Sequence, residues 1–524
     1  SYWDGLITLK HDDLTLNLNL KKINFKTSPY LEGDFNLNSD NLKKFFDGIK
    51  VDTIEGLKLE LPVKSKGKLN LFFKNNNLIN KIEDLSVSLG STAFNGSING
   101  VSGLKPTVDI DFSSNSIDLD EGRSDLSEYL ISLSQVKKEK SKGNKASDKN
   151  SYWEKLSGSL FVSIGTTKLF DYPIRDIAFN LKKDSEDFKV NNFSAVFPGN
   201  TKINLNGHFG SEFDVFEGNM KFDTQDFRSY AQWSSLKNIN FFPEDRFRAV
   251  DFYSDLVIRP GAATFAGIKG KFDTSSFLGE IRFRWGDNRT LSASLHFDKI
   301  NLDFYKLGEE VNNLDSSVSN IDNSNKKKQL NFREVLNNDT KMNLNIAIDE
   351  AILSGRKILG LKYEGSSYKD IINIEDLSIN YLDGLKILGS GGVNISRSVP
   401  EFDMKLQINS ESSNVANFYN FSDKVKTIFS NNFMCNVKFK GKQSSLDTVI
   451  DAKISDLKLD YTGNINLNNF YKPVFEGDIS FGHSSIGEFL AKNIGIQDSS
   501  FKGLGTFKSR IYSNQDSLEL KDIV

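Results

Sequence analysis

The chain has 524 residues, too many for one compact core, so length alone asks for several domains or a repeat array. Its 66 Lys+Arg against 69 Asp+Glu leave a net charge of -3, without the basic footprint that a nucleic-acid partner needs. Aromatic residues make up 12% with 42 Phe, against 9 Pro and 4 His, which suits strands better than loop-built catalytic sites, and the one cysteine, Cys435, excludes an internal disulfide and a Cys-based zinc site.

The opening stretch SYWDGLITLKHDDLTLNLNL starts at Ser1 already inside an alternating pattern, and LELKDIV at the other end stops inside another. The sequence therefore reads as a piece of a longer chain, and its lack of an apolar run of about 20 residues is no argument against a membrane role. In LTLNLNL, Leu14, Leu16 and Leu18 share one face with Leu20, while Thr15, Asn17 and Asn19 take the other, because strand side chains alternate. KLNLFF repeats the rule with Leu69 and Leu71, TKINLNG with Ile203 and Leu205, GEIRFRW with Ile281 and Phe283, and KMNLNIAI with Leu344 and Ile346. These residues are candidates to line one continuous apolar face.

A longer phrase recurs along the chain: LEGDFNLNSDNLKKFF (31–46), VDIDFSSNSIDLDEG (108–122), FEGNMKFDTQDFRSYAQW (216–233), LSASLHFDKINLDFYKL (291–307), FDMKLQINSESSNVANFY (402–419) and FEGDISFGHSSIGEFLA (475–491). Each is an alternating strand, a Ser/Asp/Asn junction suited to capping a helix, and an apolar pair that opens a helix of about ten residues. In the second copy the helix is expected later, at DLSEYLISL. Upstream sits a second signature, in IEDLSVSLGSTAFNGSING, VNNFSAVFPGNTKINLNGHFG, IEDLSINYLDGLKILGSGGVN and ISDLKLDYTGNINL, which reads as a β-hairpin turning at Gly or Asn. Helix starts at Asn41, Asp125, Asp226, Asn301, Asn414 and Ser485 are unevenly spaced, unlike the constant coils of a solenoid, so an antiparallel strand meander with short helices at one edge fits better.

The module boundaries that follow are 1–51 (partial), 52–135, 152–236, 237–311, 330–425, 426–494 and a truncated 495–524, with polar insertions at 136–151 and 312–329. Those insertions, VKKEKSKGNKASDKNS and NNLDSSVSNIDNSNKKKQ, are too poor in apolar residues to order themselves and are expected as loops at one edge. Lys137, Lys138, Lys140 and Lys142 either face water there or meet anionic lipid headgroups.

Catalysis finds little support. His11, His208, His296 and His483 fall in four different modules, Asp109 and Asp111 share one strand face, and no nucleophile motif appears. GSGGVN (389–394) lacks the helix that a phosphate loop opens, so its glycines are expected in a turn or bulge. Cys435 alternates with Phe433 and Val437 and is expected to be buried, and Trp233, Phe418, Tyr419 and Phe489 are expected to close module ends against the sheet. No metal and no cofactor are expected, and the chain is not expected to be an enzyme.

The order of strand, FSAVFPGNTKINLNG hairpin and FEGNMKFDTQDFRSYAQW closing strand with helix resembles the repeats of the AsmA family, the bacterial relatives of TamB. The resemblance implies a mainly β fold, an elongated, curled antiparallel sheet forming an open trough. It also implies a periplasmic place, anchored to the inner membrane through a segment missing here, and bridge-like movement of phospholipid toward the outer membrane. Partners would be phospholipid acyl chains and the two membranes, or their proteins, at the two ends. Physical reasoning reaches a similar place: a long sheet with one apolar face must close on itself or cover that face, since each large side chain left in water forfeits roughly 1.5–3 kcal/mol. The eleven residues above would then line a lipid groove. The alternative is a periplasmic scaffold or assembly factor for outer-membrane proteins.

Overall fold

The computed structural model describes residues 3–11, 14–24, 29–40, 62–74, 77–89, 92–118, 155–169, 171–184, 187–210, 214–234, 243, 245–286, 288–305, 340–382, 384–396, 399–410, 432–468, 473–493, 502–513 and 518–524. Among the described residues the stretches that alternate with period two are extended, giving 27 strands of one open β-sheet. Among the described residues two short α-helices, α1 (Phe227–Trp233) and α2 (Ile486–Asn493), accompany them. The chain divides into two compact units, Ser1–Leu236 with Phe247–Phe265, and Lys237–Arg246 with Ala266–Val524.

The first unit holds β1 (Trp3–His11), β2 (Leu14–Asn24), β3 (Tyr30–Ser39), β4 (Val63–Lys74), β5 (Asn77–Leu89), β6 (Thr92–Ser102), β7 (Thr107–Asp118), β8 (Ser157–Leu169), β9 (Tyr172–Asp184), β10 (Asp187–Phe197), β11 (Thr201–Phe209), β12 (Phe216–Thr224) and β13 (Val250–Arg259). Each strand pairs with the next in chain order. The division between units falls within β14 (Ala262–Phe272).

The second unit runs through β15 (Ser275–Arg284), β16 (Thr290–Asn301), β17 (Lys341–Leu353), β18 (Arg356–Tyr368), β19 (Ile371–Leu382), β20 (Leu385–Asn394), β21 (Glu401–Ser410), β22 (Phe433–Lys442), β23 (Ser445–Ile454), β24 (Leu457–Asn466), β25 (Val474–His483), β26 (Gly505–Ser513) and β27 (Leu518–Lys521). These too pair in chain order. Among the described residues no ladder closes either unit into a barrel.

The expected all-antiparallel meander needs one correction. β7 and β8 run parallel, with Thr107 opposite Ser157 and Asp118 opposite Lys168, and so do β16 and β17, with Thr290 opposite Lys341. The chain therefore leaves β7 at one edge of the sheet and enters β8 at the other, while the insertions expected as edge loops, 136–151 and 312–329, lie outside the described residues. The reason is one of parity. β4–β7 and β22–β25 are sets of four strands entered antiparallel, whereas β8–β12 and β17–β21 are sets of five entered parallel. An odd number of strands returns the chain to the same exit edge only if the set is entered from the opposite one. Joining parallel neighbours takes a connection longer than a hairpin, and 119–156 and 302–340 are longer than the links 40–62 and 411–432.

The helix expectations divide. Helices near 226–236 and 485–494 are present as α1 and α2, the described residues after Asn301 form a 3-10 turn (Leu302–Tyr305) with 306–339 outside them, and those at 41–51, 125–133 and 414–425 also lie outside the described residues. Asp226 stands at the N-cap position of α1, as expected. Its carboxylate accepts from Ser229 Oγ (2.6 Å) and Arg248 Nη1 (2.9 Å), which, against the burial that opposes ionisation, hold its pKa below the usual value.

The hairpin signature contains a device that alternation hides. In Ile82-Glu83-Asp84-Leu85 the register passes from Ile82 opposite Ile98 to Leu85 opposite Gly96, three residues against two. Val190–Phe193 and Ile374–Leu377 do the same against Gly207–Leu205 and Gly391–Gly389. Each is a β-bulge, and the extra residue restores both flanking apolar side chains to one face. The glycines of GSGGVN thus lie within β20, with the bulge on the strand opposite. In the fourth copy the turn falls after Ile454, at Ser455 in the left-handed region, and Gly463 sits inside β24 rather than at a turn.

Candidate functional site

Residues directly opposite one another in a ladder share a face, so the registers trace rungs across each unit. In the first unit one rung runs Gly5, Leu20, Gly33, Leu69, Ile82, Ile98, Ile110, Leu160, Leu181, Val190, Gly207, Gly218, Leu256. From β1 to β13 it contains no polar side chain. The second unit carries an equivalent from β15 to β26: Phe277, Phe297, Ile348, Leu361, Ile379, Ile387, Ile408, Cys435, Ala452, Leu459, Phe481, Phe507.

All eleven candidate residues fall on this face of their unit. Leu14, Leu16 and Leu18 share the parity of Leu20, and Leu71 that of Leu69. Ile203 and Leu205 lie opposite Ala195 and Phe193 on β10 and Phe222 and Met220 on β12. Ile281 and Leu344 meet through Ala293, Phe283 faces Leu291, and Ile346 faces Leu295 and Tyr363. Leu14 and Ile203 are buried while Leu16, Leu18, Leu205 and Leu344 are half-buried, the mark of a face with only partial cover.

The outer face is of opposite character. One rung of the second unit reads Arg282, Ser292, Asn343, Ser366, Asn373, Gly392, Asp403, Lys440, Asp447, Asn464, Glu476, Tyr512, Glu519. Ion pairs such as Lys440–Asp403 (3.0 Å) and hydrogen bonds such as Ser159 Oγ to Asp109 Oδ1 (2.5 Å) lie there. A hollow of about 560 Å³ opens there among Ser390, Lys405, Gln407, Asn436 and Lys438.

Other singled-out residues are placed as follows. Cys435 is buried on the apolar face between Ile408 and Ala452, and burial pushes its thiol up to about 11. Trp233 and Tyr230 of α1 pack on Phe197 at the end of β10, with the Trp233 indole donating to Leu169 O (3.3 Å). Phe489 lies on α2, while Phe418, Tyr419 and the four insertion lysines lie outside the described residues. His296 meets Asp349 (2.8 Å), the His483 ring accepts from the Ser485 N–H (3.0 Å), and His208 faces Glu217 and Lys189. Among the described residues no group of three His, Cys, Asp or Glu is placed to hold a metal ion, and no helix is long and apolar enough to cross a membrane.

Sequence reasoning missed the apolar-face glycines Gly33, Gly207, Gly218 and Gly477, although LEG, FEG and NG mark them in the recurrent phrases, and Gly463, opposite Gly477, in YTGN. Comparison with protein-family models, curated proteins and solved structures finds no match.

Proposed function

We propose that the chain conducts phospholipid without catalysis, taking acyl chains along the apolar face of its sheet, as part of a bridge between inner and outer membrane of the AsmA type. The observation that carries the reading is the apolar rung of each unit, from β1 to β13 and from β15 to β26, with a polar rung on the opposite face of the second unit. Such a face has no orienting polar groups, so it accepts an acyl chain non-directionally, and neighbouring positions along it are alike in energy. Movement then needs no strong site to be left behind. Headgroups remain at the rim, where water and polar side chains solvate them.

Lipid content tests this. Organic extraction of the purified protein followed by mass spectrometry is expected to find co-purifying phospholipid. A protein that comes off membrane-containing lysate with none would overturn the reading and favour the scaffold for outer-membrane proteins.

A further inference from the structure

In each of the strand sets β1–β3, β4–β7, β8–β12, β13–β16, β17–β21 and β22–β25, the last two strands are crowded at an apolar-face glycine. A Cβ added to Gly33, Gly96, Gly218, Gly279, Gly391 or Gly477 would fall within 3 Å of a backbone oxygen of the neighbouring strand. The six ladders are β2–β3, β6–β7, β11–β12, β15–β16, β20–β21 and β24–β25. Other strand glycines are crowded too, Gly158 and Gly365 among them, but the six share a place in the closing pair of a set, Gly33, Gly218 and Gly477 on the last strand and Gly96, Gly279 and Gly391 on the penultimate one.

The crowding has a direction. Across a regular antiparallel pair, opposed Cβ atoms stand about 4.5–5.5 Å apart. A Cβ on Gly207 would instead lie 2.7 Å from the Gly218 Cα, and one on Gly463 only 2.5 Å from the Gly477 Cα. A sheet bent toward its apolar side brings the neighbouring backbone under such a Cβ, and at Gly279 and Gly391 a φ of +158° and +148° adds to the crowding. Glycine is the residue that allows such approach. In three sets the penultimate strand also faces a bulge, at Gly96, Gly207 and Gly391, and bulges sharpen a bend further.

We infer that these six glycines are the hinges at which each strand set bends toward its apolar face, so that side-chain size at them sets how widely that face opens. The inference does not depend on what the face binds, and its failure is separate from a failure to find lipid.

The test is made in full-length protein with Cys435→Ala, carrying nitroxides on the apolar face at Leu160 and Ile258, which flank the β11–β12 ladder. Gly218→Ala is expected to widen the label distance and lower Tm by several degrees. Gly210→Ala, where an added Cβ meets nothing within 4 Å, is expected to change neither. Should Gly218→Ala not fold, Gly33→Ala, whose Cβ would stand 2.6 Å from Asn19 O, is measured with labels at Leu9 and Leu71. An unchanged distance in a folded variant overturns the inference, and so does failure of both variants to fold.

Discussion

Leu205 and Asn206 are neighbours in the chain and lie on opposite faces of β11, Leu205 half-buried and Asn206 exposed. If acyl chains pass over the apolar face, a photo-crosslinking residue at Leu205 labels phospholipid and one at Asn206 does not. Leu205→Asp puts an unpaired carboxylate in that path, at a desolvation cost of a few kcal/mol, whereas Asn206→Asp stays solvated. Equal labelling at the two positions would show that the faces are not distinct. Tyr461 offers a second residue-scale measurement. Its ring covers the Gly463–Gly477 approach, and its hydroxyl donates to Asn464 O (2.9 Å) with Glu476 O at 3.3 Å. Burial raises its pKa to about 12. An unfolded tyrosine ionises near about 10. Because the folded state holds the proton more tightly, this contribution is intact below pH 10 and is lost as pH rises toward 12. The urea midpoint of the parent should therefore fall relative to Tyr461→Phe across that window, and parallel midpoints would refute the assignment.

At the scale of an element, α1 shows how a helix of seven residues is held. Too short to be stable alone, it depends on contacts with the sheet edge. Phe222 stacks on Phe252 and meets Tyr230 edge-on, and Tyr230 in turn contacts Trp233. Beneath it Thr201 Oγ1 lies 2.8 Å from Thr224 Oγ1, both side chains almost fully buried, and Thr224 Oγ1 accepts from the Asp226 N–H (3.2 Å). Thr224→Val keeps the shape, orphans the Asp226 N–H and removes the donor to Gly199 O (3.2 Å), while the Thr201 hydroxyl keeps Pro198 O (2.9 Å), at a cost of about 1–3 kcal/mol. A Tm decrease of several degrees is expected by calorimetry. An unchanged Tm would mean that the aromatic contacts alone hold the helix. This network was not legible in the sequence, where TQDFRSYAQW suggested a helix capped by Asp226. The strand residues Thr201 and Thr224 that meet beneath it are 23 positions apart and have no pattern linking them.

For the whole molecule, the long connectors are the quantity to test. Residues 119–156 must carry the chain from Asp118 to Ser157 across the width of the β7–β8 ladder, about 36–40 Å at roughly 3.3 Å per residue. Deleting 136–151 leaves residues 119–135 and 152–156, which extended would reach about 70 Å. The shortened protein is therefore expected to keep its far-UV circular dichroism and Tm. Cutting the same connector to fewer than about ten residues leaves too little reach and should break the β7–β8 ladder. If that shorter variant folds with the same stability, the parallel register is wrong.

Strand identity and the division of residues between faces were determined by the sequence itself, because the pleat imposes period two locally whatever the neighbours do. That is why each of the residues from Leu14 to Ile346 could be assigned to the apolar side of its own strand from its spacing, with Thr15, Asn17 and Asn19 on the other side of β2. The tertiary structure decided what period two cannot encode. Which strands run parallel depends on the edge at which a connector re-enters, the bulges at Asp84 and Asp376 appear only when a register is compared across two strands, and the need for glycine at 207 and 218 arises only where two backbones approach. Each of these is a relation between residues distant in the chain, so no local pattern carries it.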